Sequence, residues 1–269
     1  MGYTRPPVRR YLRLLWVQLR ASLATSMQYR VDFIVDGAMS LWWLVWSLVP
    51  LLVVYGLRTE VAGWTLPEAL VVVAWFTLLR GFLEGAINPS LVNVADAIRT
   101  GTLDFVLIKP ADAQFLVSTS KFAPWKVVDG IAAMVILGVA LHRLGRAPGA
   151  GDVLLAIVLL LAAALVLYSM WILVVCASFW VVRLDNLSYL FTSIFDAARW
   201  PLAVFRGVWK ILFTFVIPLG LMTTYPAMAI LGTLEARTAV LAVGGALAFA
   251  ALSRLIWTRA IGHYTSASS

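Results

Sequence analysis

Ionisable side chains stand in pairs inside otherwise apolar stretches of this chain. Arg80 and Glu84 are four residues apart, Asp196 and Arg199 three apart, and Asp32 and Asp36 four apart beside Arg30. Residues at those spacings share a helix face, so each acid has a base within reach. Within a bilayer such pairs line a polar substrate path or proton relay, or they tie packed helices or a dimer seam together by salt bridges. A relay needs an unpaired carboxylate, which favours the structural role here. Other chemistry is thinly supplied. No Gly-x-x-x-x-Gly-Lys-[Ser/Thr] occurs, so the chain has no phosphate-cradling loop of its own. His142 and His263 stand at the ends of different apolar stretches and cannot pair around zinc, and the single cysteine, Cys176, forms no metal cluster and no intrachain disulfide. Enzymatic activity would have to come from carboxylates alone. The expectation is a chain that is no enzyme by itself and carries no metal or cofactor.

The elements that position these residues are membrane helices. The 269 residues are 62% hydrophobic and 13% charged, against about 45–50% and about 25% in soluble domains. The length has room for roughly five to seven spans of about 20 residues and leaves none for a soluble catalytic domain. The stretches 31–55, 66–87, 123–141, 153–182 and 239–257 read as spans. The remainder is harder: 187–205 is moderately apolar but holds Asp196 and Arg199, and 208–231 is strongly apolar but broken by Pro218, Gly220 and Pro226. If both cross, there are seven spans. If one is re-entrant or interfacial, there are six and the termini share a side.

Residues 1–30 form a separate unit. Val8, Leu12, Leu15 and Leu19 fall on one side of a helix, and Arg9, Arg13 and Arg20 on another. That pattern suits a basic amphipathic helix lying on the membrane surface. No small-residue cleavage site follows a short apolar core, so the first span is expected to be retained. Placing both termini, the 88–110 interruption and the turn at Arg183 and Asp185 on the cytoplasmic side puts the larger part of the 21 Lys and Arg inside. The net charge of +8 is then a topology signal, and nucleic acid is not an expected partner.

The interruption is the most informative segment. It reads Asp96-Ala97-Ile98-Arg99-Thr100-Gly101-Thr102-Leu103-Asp104-Phe105-Val106-Leu107-Ile108-Lys109-Pro110, a short amphipathic helix with a glycine stop and an apolar segment that ends at proline. Lipid does not tolerate its charges. Leu103, Phe105, Val106 and Leu107 are the residues expected to anchor it to the membrane-side core. This segment resembles the cytoplasmic loop of type-2 ABC transporter permeases. Three later features resemble a bacterial branch of that family, the ABC-2 family transporter proteins: Arg199-Trp200-Pro201-Leu202-Ala203-Val204-Phe205, then Phe215-Val216-Ile217-Pro218-Leu219-Gly220 with Tyr225-Pro226-Ala227 downstream, then Tyr264-Thr265-Ser266-Ala267-Ser268-Ser269.

The resemblance implies an all-α membrane protein with six transmembrane helices over 31–269, an N-terminal amphipathic interfacial helix, a coupling helix after span two and a re-entrant hairpin at 206–232. The hairpin, with Pro201, Pro218, Gly220 and Pro226 as its gate residues, lies between spans five and six. Under the same resemblance the coupling helix is about 93–100, with Asp96, Ala97, Ile98, Arg99, Thr100, Gly101, Leu103 and Asp104 toward an ATPase subunit. Arg183 and Asp185 form a second, smaller contact. The implied function is the permease subunit of an ATP-driven exporter in the bacterial inner membrane. Its partners are two ATPase subunits, which carry ATP and magnesium, a second permease (the same or a related chain) and membrane lipid. Arg206 and Lys210 fall outside in this layout, and a competing layout makes 187–205 interfacial and 208–224 the fifth span. The alternatives in function are a secondary transporter or channel using Arg80 and Glu84, and a membrane scaffold or intramembrane enzyme.

Overall fold

The computed structural model describes residues 8–177 and 185–262. Helix α1, Val8–Gln28, divides its circumference in three. Tyr11, Leu14, Leu15, Gln18, Leu19 and Ser22 are half-buried against the body. Val8, Leu12, Trp16, Leu23 and Met27 form an exposed apolar sector, and Arg9, Arg13 and Arg20 are exposed beside it. The expected apolar line is therefore split, with Leu15 and Leu19 turned toward protein and Val8 and Leu12 outward. Exposed apolar residues bordered by arginines are what a helix at a lipid–water boundary presents.

Helix α2, Arg30–Leu57, follows at once and buries only Gly37 and Leu51. A two-residue turn in the left-handed region, Ala62 and Gly63, then pairs β1, Glu60–Val61, with β2, Trp64–Thr65. This small hairpin is the one addition to the all-helical expectation among the described residues. Helix α3, Leu66–Phe82, starts on a capping box in which the Glu68 carboxylate accepts from the Thr65 amide at 2.8 Å.

Helix α3 does not end where the apolar run ends. It passes through one π-helical turn, Leu83–Ile87, directly into α4, Asn88–Arg99. The expected interruption at 88 is thus a continuation of the second span. Pro89 explains the join. Proline has no amide hydrogen to bond the carbonyl four residues back, and that carbonyl, of Gly85, accepts from the Ala123 amide at 2.8 Å. One residue on, the Ser90 hydroxyl donates to the Lys121 carbonyl at 2.6 Å and accepts from the Lys121 amide at 3.0 Å. The strand of chain before the third span is therefore stitched to the joint.

After α4 come α5, Asp104–Leu107, and α6, Ala113–Ser118, whose N-cap is the Asp112 carboxylate. A 3-10 turn, Pro124–Lys126, opens α7, Val127–Leu144, which stops at Gly145 in the left-handed region. Helix α8 is Ala150–Ala177. Helix α9, Asp185–Phe195, has 11 residues and rises only about 16 Å, roughly half the hydrocarbon core. The chain then breaks at Trp200 and Pro201, because the residue before proline is forced into extended backbone. Helix α10, Val208–Ile211, runs into a π-helical turn, Leu212–Val216. Past Pro218 a second π-helical turn, Gly220–Thr224, leads into α11, Tyr225–Ile230. Helix α12, Ala236–Gly262, closes the bundle.

Five helices among the described residues are long and apolar enough to cross a membrane. The expected 187–205 span is not one of them, because it is divided at Trp200 and Pro201. Its place is filled by a broken path. Arg254 of α12 meets Gln114, which meets Tyr168 near the C-terminal end of α8, so α8 and α12 run the same way. Gly232 lies against Asp152 at the start of α8. Residues 185–232 therefore return the chain from one end of α8 to the other, with α10 exposed and 219–231 mostly buried. Helix α3 is the centre of the bundle and α2 its outboard member, with 67% and 11% of their apolar windows buried.

Helices α3 and α7 pack closely because Gly81 and Gly85 carry no side chain. A Cβ at either would stand 3.0 Å from the Cβ of Asp129 or Lys126, and small residues four apart are the usual means of close approach in lipid. Gly81→Val or Gly85→Val is expected to force the helices apart. The purified protein should melt at a lower temperature in detergent, by an amount matching the roughly 1–3 kcal/mol cost of overpacking. Gly138→Ala, which meets nothing within 4 Å, should leave the melting temperature unchanged.

Candidate functional site

Three parts of the fold bring functional side chains together. The first is the segment after α4. Leu91 and Val94 are buried, and Ala97 and Ile98 are half-buried against the core. The helix stops at Gly101, whose φ of +73° suits glycine and strains other residues. Its amide donates to the Ile98 carbonyl at 3.3 Å, and the Leu103 amide donates to the Ala97 carbonyl at 3.1 Å. Leu103 is fully buried, and Val106 and Leu107 are half-buried. Phe105 is not an anchor. It is 67% exposed, and Ile108 is 78% exposed. The outward surface of the segment is thus Thr100, Thr102, Phe105, Ile108, Lys109 and Pro110, with Asp104 half-buried. The side chains of Asp96, Arg99 and Asp185, and Arg183 as a whole, lie outside the described residues. A cavity of about 500 Å³ separates the back of the segment, at Val94, Leu103 and Val106, from Gln18 of α1 and Lys121.

The second part is a charge network at the level of the π-helical turn. Arg80 Nε donates to Glu84 Oε1 at 2.8 Å. Lys126 Nζ pairs with the other Glu84 oxygen, with Asp129 at 3.2 Å and with the Ser40 hydroxyl at 2.7 Å. Asp196 Oδ1 lies 3.7 Å from Arg80 and 3.3 Å from Arg199, within ion-pair distance but aligned with neither as a hydrogen bond. Arg199 in turn lies over the Phe76 ring, 5.4 Å from its centre, and donates to the Asp196 carbonyl at 2.8 Å. The two pairs read from spacing are one network, and Lys126 and Asp129, which no pairing rule singled out, are its other half. The signal was present in the sequence: Lys126 and Asp129 are three apart at the start of the third span.

Beside the broken path, Pro201, Gly220 and Pro226 are buried and Pro218 half-buried. A Cβ on Gly220 would stand 2.7 Å from a Leu202 methyl. The Leu202 amide donates to the Thr224 hydroxyl at 3.0 Å, and the Thr223 hydroxyl donates to the Ala198 carbonyl at 2.7 Å. Arg206 and Lys210 are exposed.

The third part ties the same end of the bundle to α1 and α12. Arg254 forms a two-pronged ion pair with Asp112 and donates to Gln114 at 2.6 Å. The Gln114 amide and Ser118 both meet the Tyr168 hydroxyl, at 3.0 and 2.8 Å. The Asp112 amide donates to the Tyr11 hydroxyl at 3.2 Å, and the Tyr11 and Phe115 rings meet edge to face. Sequence reading missed this node, because its partners lie in α1, α6, α8 and α12, far apart in the chain. Burial pushes the Asp112 carboxyl up. Hydrogen bonds from Arg254 and the Phe115 amide, with the charge of Arg254, outweigh that and hold it below the ordinary carboxylate range.

The family model described as ABC-2 family transporter protein matches residues 41–268, from within α2 over all three parts except Tyr11, Gln18 and Ser40, with α1 ahead of the match. No curated protein and no solved structure matches the chain.

Two outcomes follow for these contacts. Thr224→Val leaves the buried Leu202 amide without an acceptor, and should destabilise the protein by about 1–3 kcal/mol, read as a lowered melting temperature that Thr224→Ser restores. Asp112→Asn should cost about 0.5–1.5 kcal/mol, since the pair is partly exposed and screened. The folded carboxyl titrates lower than the unfolded one, so this contribution is present in full above the ordinary value of 3.8 and is lost as the pH falls below it. Melting temperatures of the wild type and Asp112→Asn should differ at neutral pH and converge under acid.

Proposed function

The chain belongs to the ABC-2 transporter family and is a multi-pass membrane protein, and on that basis we propose that it is the permease subunit of an ATP-driven exporter. It works as a dimer and draws its energy from two separate ATPase subunits that dock on its cytoplasmic face. ATP and magnesium belong to those subunits, and this chain needs no cofactor. The membrane is the bacterial inner membrane, both termini are cytoplasmic, and α1 lies in the lipid interface with Arg9, Arg13 and Arg20 toward the phosphates.

The observation that supports the reading best is the segment after α4. It is a helical extension of a central span with a fixed stop at Gly101, a buried peg at Leu103 and outward apolar side chains at Phe105 and Ile108. A permease without a phosphate loop must receive work through a surface, and an exposed Phe and Ile on a rigid extension of the core suit a groove on a partner. Thr100 and Asp104 flank that surface, and the family resemblance assigns Asp96, Arg99, Arg183 and Asp185 to the same contact. The cavity behind the segment leaves it room to move against α1. The six crossings are α2, α3, α7, α8, the broken path 185–232 and α12. The exposed leg 208–216 and the Pro218 turn form the re-entrant part. The rival reading, a secondary transporter or channel working through Arg80 and Glu84, meets the difficulty that both charges are already paired with Lys126 and Asp196.

Co-purification tests this directly. The permease expressed with its ATPase should retain that subunit through detergent extraction. Phe105→Asp, Arg99→Glu and Gly101→Pro should each release it while the permease stays monodisperse. Transport by the permease alone in liposomes, without ATP, would sink the reading.

A further inference from the structure

A second cavity, of about 230 Å³, opens between α2, α3 and the start of α7. Its charged lining comes from Arg80, Glu84, Lys126, Asp129 and Asp36, and its aromatic walls from Trp43, Phe76 and Trp125. Helix α2 supplies one stripe to it, Asp36, Ser40, Trp43 and Ser47, at the spacings of a single helix face. Such a stripe has no place on a span that faces only lipid.

The charges decide what fits. Arg80 and Lys126 are both held by Glu84, and Lys126 also by Asp129. An anionic ligand would have to pull one of these cations off its carboxylate. Asp36 differs, because it has no hydrogen-bond or ion-pair partner among the described residues. The cavity therefore holds one carboxylate in excess, next to three aromatic rings, on the most weakly packed span of the bundle. A weakly hydrated organic cation satisfies all of this. Its charge answers Asp36, its surface contacts aromatic faces by cation–π attraction, and an apolar tail extends along the exposed side of α2 at Met39 and Trp43. A small, strongly hydrated cation would give up its water for a cavity whose other carboxylates, Glu84 and Asp129, are already taken by Lys126.

We propose that this cavity binds an amphipathic organic cation, with its ammonium group at Asp36 and Trp43 and its tail toward the lipid side of α2. Binding rests on the cavity alone. That the bound cation is exported cargo rests on the permease reading.

The test uses the permease in nanodiscs of zwitterionic lipid, without ATP, carrying Ser47→Cys as a reporter in the cavity wall. Cys176 is buried, and the parent protein gives its background labelling. Octyltrimethylammonium should slow maleimide labelling of the reporter, and octanesulfonate, of equal chain length and opposite sign, should not. Asp36→Asn should raise the cation concentration needed for half-protection about tenfold, the effect of losing one favourable charge contact, and Asp36→Glu should restore it. Equilibrium binding of the radiolabelled cation to the permease without the reporter gives the same comparison should Ser47→Cys fail to fold. Equal protection by both amphiphiles, or half-protection unmoved by Asp36→Asn, overturns the proposal and leaves the exporter reading standing. Transport without ATP would overturn the exporter reading and leave the site standing.

Discussion

A polar group at membrane depth has no water to turn to, so it persists only where another part of the protein covers it. Two breaks in this bundle, at Pro89 and at Pro201, obey that constraint. Pro89 frees the Gly85 carbonyl, and Ala123 takes it up. The break at Pro201 leaves the Leu202 amide outside any long helix, and Thr224 accepts from it. Thr223 covers the Ala198 carbonyl on the same loop. These contacts join elements far apart in sequence: the joint in span two to the start of span three, and the first half of the broken path to the second. The helices are thus held in register by their defects as much as by their apolar faces, since regular helices in lipid have little hydrophobic drive to associate.

The charge network follows the same logic. Arg80, Lys126 and Arg199 face Glu84, Asp129 and Asp196, so the set is neutral. Desolvating ions costs several kcal/mol each, and pairing recovers that only when the geometry is good and further hydrogen bonds are made. Lys126 makes them, to two carboxylates and to Ser40. The consequence is specificity of arrangement more than stability. Helix α3, the start of α7 and the loop after α9 have few ways to sit together that leave no charge unpaired. Asp36 stands just outside this network and has no partner among the described residues.

Much of this was legible in the sequence, and the rest was hidden for identifiable reasons. The spans at 31–55, 66–87, 123–141 and 239–257 announce themselves by length and apolar content. The glycine stop at Gly101 is visible because a charged amphipathic helix must end before an apolar run. The buried peg at Leu103 was anticipated, and the exposure of Phe105 was not, because an aromatic residue in an apolar run reads as core until the turn before it is placed. The continuity of α3 and α4 was obscured by Pro89, which ordinarily marks a boundary. Only the amide of Ala123, from a distant segment, makes the join tolerable. The ion pair of Asp112 and Arg254 leaves no local signal, since nothing in periodicity connects residues on α12 with a loop before span three.

The continuity matters most for how the chain is to be driven. The three helical pieces from Leu66 to Arg99 have 17, 5 and 12 residues and form a rod of about 50 Å. The hydrocarbon core is about 30 Å thick, so one end must project well into water unless the rod lies steeply tilted. On the proposed reading the projecting end is α4, whose Leu91 and Val94 are buried against the bundle. A push on Phe105 and Ile108 then passes, on that reading, through the short turn at Gly101, where the Leu103 amide is held by the Ala97 carbonyl, into the continuous rod. The first place the rod can yield is the π-helical turn. There Gly81 and Gly85 lie against α7, Glu84 grips Lys126, and Arg80 reaches Asp196 at the break of the return path. Displacement of that turn has to alter the α3–α7 contact and the broken segment together, because the same charges hold both.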